Sequence, residues 1–263
     1  MYMLLPILCL LCQWVCAIDP LREYTMTPGD LGISYREVRV SAEKADLNVW
    51  VMEAPPATSK QVTVVIAGSD AGNMGFSLPY AKQLLNAGYD VITFDYRGFG
   101  ASTDFEHQPD YLYHREYIED FVAVLQFSKG HFTSNRTAVL AFSMGTLIAS
   151  AGYQHAAYDA LIAEAFVFSP QRNVRRIHEL SGKKLVLPKG YAEDANAVQS
   201  IDIPMLLFSA RADKVTTGQD AKIVVEMRAN RHLVSYEGEH LRGAASLGFP
   251  IYFGRIAAFI DSI

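Results

Sequence analysis

The chain has 263 residues, half of them hydrophobic, with a formal charge of −5 at pH 7. That length suits one large α/β domain with ample apolar material for a core. The mild acidity, without a basic block anywhere, argues against a nucleic-acid surface, and no repeat or low-complexity linker divides the chain.

The first segment, "MYMLLPILCLLCQWVCAIDP", carries no charged side chain before Asp19. An apolar run ending in small residues at Cys16-Ala17 resembles a signal peptide cleaved after Ala17, leaving residues 18–263 as a single domain. The Lys or Arg usual before such a run is missing. Residues 1–18 are also just long enough to span a bilayer. A retained membrane anchor and a lipoprotein acylated at Cys16 are therefore the alternatives. Cleavage implies export with no stable membrane insertion. Cys9, Cys12 and Cys16 all fall here, so the domain beyond holds no disulfide, thiol nucleophile or cysteine metal site. Asn135-Arg136-Thr137 fits a glycosylation sequon, which matters only in a eukaryotic source.

From Tyr35 strands and helices alternate. "YREVRVSA" and "ADLNVWVMEA" alternate polar with apolar residues, as an antiparallel pair of half-exposed strands does. "QVTVVIAG" (61–68) is a continuous β-branched run, the mark of a strand buried on both faces. "SLPYAKQLLNAGYD" has helical spacing and stops near Gly88. "VITFDYRGFG" (91–100) is a second buried strand, followed by a polar loop and the helix "YHREYIEDFVAVLQFSKG". After these come strand "TAVLAF", the helix beyond Ser143, strands "LIAEAFVFS" and "MLLFSA", helix "DAKIVVEMRAN", strand "HLVSYE" and a closing helix over 251–263. This alternation implies a mostly parallel sheet covered on both faces, with its chemistry at the carboxyl ends of the strands.

Ser143 directly follows "TAVLAF", in Ala141-Phe142-Ser143-Met144-Gly145. G-x-S-x-G at a strand-to-helix turn exposes a serine Oγ, with small residues where helix and strand pass closely. Ala141 takes the place of the first glycine. A-x-S-x-G alone recurs by chance and also describes an ordinary turn serine, so the partners must decide. A serine hydroxyl needs a base to take its proton. Of the seven histidines, only His240 in "SYEGEHLRGA" follows the end of a strand. His107, His114 and His178 lie in loops or on helices, His155 sits late in the helix after Ser143, and His131 and His232 stand before strands. The acid that orients His240 is Asp213, in "MLLFSARADKVTT"; Asp202 precedes that strand and lies at the wrong edge. Asp95 reads as loop architecture, its carboxylate bonding backbone amides. The oxyanion hole should combine the N–H of Met144 with one from "IAGSDAGNMG", where Ser69 is the favoured donor and Asp70 is expected to point away.

Taken together, "IAGSDAGNMG", "GYDVITFDYRGFGAS", "AFSMG", "RADKV" and "GEHLRG" resemble the α/β-hydrolase superfamily, over about residues 35–263. The nearest pattern is that of small serine hydrolases with an H-G-N-x-G-N loop and a D-Y-R-G-x-G-x-S segment. Ala67 stands where that pattern has histidine, and Ser69-Asp70-Ala71 is one residue longer. The resemblance implies an eight-stranded, mostly parallel sheet with helices on both faces, and catalytic roles for Ser143, Asp213 and His240.

The implied activity is a serine hydrolase forming an acyl-enzyme on a small-molecule acyl substrate, foremost a short-chain carboxylic ester. A peptidase or amidase of the same fold and a non-catalytic binding protein are the alternatives. No P-loop, dinucleotide or metal-ligand spacing occurs, so no cofactor or metal is implied. Oligomeric state is not encoded in any motif. The stretch from Pro170 to Ile203 leaves little chain for a cap beyond one helix on the sheet. It predicts an open, shallow pocket, with Arg172, Arg175, Arg176, Lys183 and Lys184 on a solvated helix face.

Overall fold

The computed structural model describes residues 17–263. The expected leader, with its three cysteines, lies outside the described residues apart from Ala17. That residue is buried, and its amide donates to the Pro109 carbonyl at 2.7 Å.

The strands in chain order are β1 (Asp19–Pro20), β2 (Arg36–Ala42), β3 (Ala45–Met52), β4 (Val62–Ala67), β5 (Ala71–Gly72), β6 (Asp90–Phe94), β7 (Arg136–Phe142), β8 (Ala160–Glu164), β9 (Met205–Ala210) and β10 (Arg231–Tyr236). The α-helices are α1 (Leu78–Asn86), α2 (His114–His131), α3 (Met144–Gly152), α4 (Pro170–Ser181), α5 (Tyr191–Ser200), α6 (Gly218–Glu226), α7 (Gly243–Leu247) and α8 (Phe249–Asp261). Eight strands form one sheet in the order β10-β9-β8-β7-β4-β6-β3-β2. Only the β2–β3 and β3–β6 pairings are antiparallel; every other pairing in the sheet is parallel. This is the fold the sequence implies.

Every residue of β4 is buried, because helices cover both of its faces. Alternate side chains serve different sides: Val65 and Ala67 join the core on one face, Val64 and Ile66 the core on the other. The elements match the sequence patterns, with two strands shorter than expected. β6 stops at Phe94 rather than running to Gly100, because the chain from Asp95 onward turns, with the Phe99 amide donating to the Tyr96 carbonyl (2.9 Å). β8 stops at Glu164 rather than running to Ser169, because Ala165 turns to φ 59°. Two short features carry no sequence signature: β1 pairs in parallel with β5, and α7 follows the last strand.

The "DYRG" turn is held by charge. Asp95 accepts from the amides of Met74 (2.8 Å) and Ala101 (3.4 Å) and from the Tyr24 hydroxyl, the architectural role expected of it. Burial pushes its carboxyl up to about 6 against those hydrogen bonds. Arg97, nearly fully buried, spans Asp120 with Nε at 2.9 Å and an Nη at 2.7 Å, tying the turn to α2. At the opposite end of the sheet, the Asn135 amide of the sequon donates to Thr63 Oγ1 (2.9 Å) and Asp90 Oδ2 (2.7 Å). A side chain so engaged is poorly placed to carry a glycan.

Candidate active site

Ser143 sits between β7 and α3 with φ 48° and ψ −115°, a backbone conformation that L-residues rarely hold. The turn is forced by close packing. A Cβ on Gly145 would lie 2.5 Å from the Gly68 carbonyl and closer still to that of Ala67, so only glycine lets α3 start against the end of β4. The Ser143 amide donates to the Glu164 carbonyl (3.0 Å), fixing the turn to β8.

His240 Nε2 lies 3.1 Å from Ser143 Oγ, and His240 Nδ1 lies 2.6 Å from Asp213 Oδ2. The structure thus brings together the serine, histidine and acid that the sequence picks out. Asp213 projects from the turn after β9, where it also accepts from the amides of Val215 (2.8 Å) and Thr216 (2.9 Å) and from the Thr216 hydroxyl. Burial alone would raise its carboxyl; the His240 hydrogen bond and charge, with those donors, hold it below the ordinary carboxylate range. For His240 the balance runs the other way. Burial lowers its pKa, and Asp213 foremost, then Asp70 and Glu164, more than offset this and raise it. Asp202 is far from this network, its carboxylate 3.8 Å from Arg228 on the surface.

Met144 opens α3, so its N–H has no partner within the helix and adjoins Ser143. The loop after β4 divides. Ser69 lies on the wall of a neighbouring cavity of about 380 Å³, with Phe76, Tyr80 and Leu241, and its hydroxyl approaches the Ala71 carbonyl at 3.4 Å. Asp70 lines the pocket that contains Ser143, Met144 and His240. The expectation that Asp70 points away is therefore overturned. β1 is the cause: Asp19 N–H donates to the Asp70 carbonyl (2.7 Å), and this pairing sets the loop's path. Burial raises the Asp70 carboxyl, opposed by the charges of His240 and Lys183.

The pocket around Ser143 has a volume of about 380 Å³, within the ~300–1,000 Å³ of small-molecule sites. One wall comes from α4, through Pro170, Asn173, Val174 and Ile177. The stretch after β8 makes two helices: α5 packs on α3 while α4 caps the pocket. The site is therefore more enclosed than the open, shallow one predicted. The basic face of α4 is not simply solvated either. Arg172 (2.9 Å) and Arg176 both pair with Asp220, a fully buried carboxylate on α6, and Arg176 also donates to the Val215 carbonyl (2.8 Å). Two arginines one turn apart thus clamp the cap to the segment that carries Asp213.

Sequence reasoning missed Glu164. Fully buried, it accepts from Tyr236 (2.8 Å), Tyr252 (2.7 Å) and the Gly243 amide (2.7 Å), bracing the loop that carries His240. Its signal was a lone carboxylate inside the apolar run "LIAEAF".

The family described as serine aminopeptidase, S33, matches residues 58–189, which is 132 of 263. The chain belongs to this family of α/β hydrolases. A probable lysophospholipase L2 of Haemophilus influenzae is 29% identical to this hydrolase over 132 residues, covering 50% of its chain and only 42% of that relative. The uncharacterized protein YfhR of Escherichia coli K12 is 23% identical over 221 residues, 79% of this chain and 72% of that one. Among solved structures, an esterase of Pyrococcus furiosus superposes with a TM-score of 0.76 at 21% identity, over 93% of this hydrolase and 99% of the esterase. An α/β serine hydrolase without lid from Xanthomonas campestris gives 0.62 at 14% identity, over 87% and 93% of the two chains.

Proposed function

We propose that this protein is a serine esterase that cleaves carboxylic esters of short to medium acyl chains through an acyl-enzyme. One observation carries the reading: the Ser143–His240–Asp213 relay, with Ser143 held on a strained turn at the mouth of a mostly apolar pocket. Ser143 Oγ attacks the ester carbonyl as His240 Nε2 takes its proton, and Asp213 steadies the imidazolium. The Met144 N–H and an amide of the loop after β4, with Ser69 the proposed donor, face the developing oxyanion. His240 then returns the proton to the departing alkoxide. Water, deprotonated in turn by His240, releases the acid and restores Ser143.

The walls from α3 and α4 are apolar apart from Asn173, which suits an acyl chain, and two of the relatives above bear the names esterase and lysophospholipase. A second reading has one observation in its favour. Asp70 in the pocket offers a carboxylate to a substrate ammonium, as an aminopeptidase would need, and the family's description includes that activity. Against it, Asp213, the other carboxylate in the pocket, is committed to His240, so Asp70 would have to hold the ammonium by itself. Nitrophenyl esters from acetate to octanoate, set beside aminoacyl nitroanilides, separate the two. Turnover of the esters alone is expected, and turnover of the anilides alone overturns the esterase reading.

Export after removal of residues 1–17, or anchoring through residues 1–18, is proposed on the sequence alone. Among the described residues no helix is long and apolar enough to cross a membrane.

A further inference from the structure

We infer that His114 is a specificity residue that selects an acyl chain bearing an uncharged oxygen function, a hydroxyl or a carbonyl, along its length. The inference rests on the esterase reading and names the substrate class within it. His114 is the first residue of α2 and lines the pocket that holds Ser143 and His240. Only 3% of it is exposed; Nδ1 is shut off from solvent, and neither ring nitrogen makes a hydrogen bond among the described residues, which leaves Nε2 as the one that can meet a ligand.

Buried polar atoms are ordinarily paired, since leaving one unmade loses the hydrogen bonds that water supplied. A buried position on a lining shared with Leu112, Leu147, Val174, Ile177 and Leu185 would be filled more stably by leucine or phenylalanine. An imidazole there is explained if a ligand in the pocket bonds its Nε2. The relay has no use for it, because His240 already occupies the base position at 3.1 Å from Ser143 Oγ.

The chemistry of the ligand group follows from charge. Burial lowers the pKa of His114 to about 4, so the ring is neutral in the working range and offers one donor and one acceptor. A carboxylate on the chain would find no cation there and would also face Asp70 in the same pocket. An ammonium would gain nothing from a neutral ring in an aliphatic wall. A hydroxyl or carbonyl pays no such penalty, and a site built for a hydrogen bond discriminates against the analogue that lacks it.

The test is a matched pair of substrate types with one leaving group: nitrophenyl hexanoate, and nitrophenyl hexanoates carrying an oxo or hydroxy group at successive positions. For the wild-type protein, kcat/KM for the best oxygenated ester should exceed that for plain hexanoate by roughly tenfold or more. In His114→Leu that ratio should fall to near or below one, and His114→Gln, which keeps a donor and an acceptor, should recover part of it. If hexanoate turns over and no oxygenated ester exceeds it, or if His114→Leu leaves the ratio unmoved, the assignment to His114 is wrong while the esterase reading stands. If no ester turns over, both fall. A wild-type ratio at or below one overturns the proposal without any variant, and His114→Gln carries the assignment should His114→Leu fail to fold.

Discussion

His240 Nε2 and Ser143 Oγ lie 3.1 Å apart although 97 residues separate them in the chain. The contact exists because β7 and β10 both end on the same side of a parallel sheet, each handing its side chain to a loop above it. Asp213 arrives from β9 by the same route. The site is thus a consequence of strand direction, and its members can be tested singly.

The proposed relay takes its acid from Asp213 and not from Asp202. Asp213→Asn removes the charge that stabilises the imidazolium and permits the wrong tautomer, so kcat should fall by ~10⁴. Asp202→Asn, on the surface beside Arg228, should leave kcat unchanged within assay error. Steady-state kinetics of the two variants checks this, and the reverse pattern would reassign the acid.

Much of this was legible in the chain itself. Continuous β-branched runs such as Val62–Ala67 announce strands buried on both faces, and the order of Ser143, Asp213 and His240 follows from which residues come after strands. Three features were not legible, two because they depend on a partner distant in sequence and one because it depends on a single backbone angle. Arg172 and Arg176 read as a solvated face because nothing nearby reveals Asp220 on α6. The direction of Asp70 depends on β1, two residues long. The early end of β8 depends on Ala165 adopting a positive φ that its residue type does not signal.

The pH dependence carries a definite sign. His240 must be unprotonated to act as base, and its pKa is raised above the ordinary 6.5: burial lowers it, while Asp213 first, then Asp70 and Glu164, outweigh burial. The acid limb of kcat/KM should therefore lie above 6.5. Asp70→Asn removes one of these negative charges, so the limb should move to lower pH. A pH–rate profile that stays in place would show that the imidazole does not feel Asp70.

The cap clamp should be felt in binding. Asp220→Ala strands Arg176, whose side chain is largely buried, and frees α4 from α6. Since α4 walls the pocket, KM for esters should rise several-fold with a smaller change in kcat, and stability should fall by about 1–3 kcal/mol. An unchanged KM would show that α4 holds its place by apolar packing alone.

Arg97 bears on stability rather than turnover. Asp120 is fully buried and takes three hydrogen bonds from Arg97, two from its guanidinium and one from its backbone amide. Arg97→Ala keeps only the amide and leaves the carboxylate without its counter-charge in the interior, a loss of about 3–5 kcal/mol. Thermal unfolding should show a Tm lower by about 10 °C, taking ~2–4 °C per kcal/mol for a chain of this size. A shift of only a degree or two would mean that water reaches Asp120.

The central claim is that Ser143 is an activated nucleophile. A fluorophosphonate probe reacts covalently with a serine only where a base takes its proton and an oxyanion hole receives the phosphoryl oxygen. Intact-mass and peptide mass spectrometry of the labelled protein read the outcome directly, with Ser143→Ala as the control. One label per chain, on Ser143, absent from the variant and matched by a loss of ester turnover of ~10³-fold or more, is the predicted result. A chain that stays unlabelled, or one labelled on another residue while Ser143→Ala keeps its activity, would contradict it.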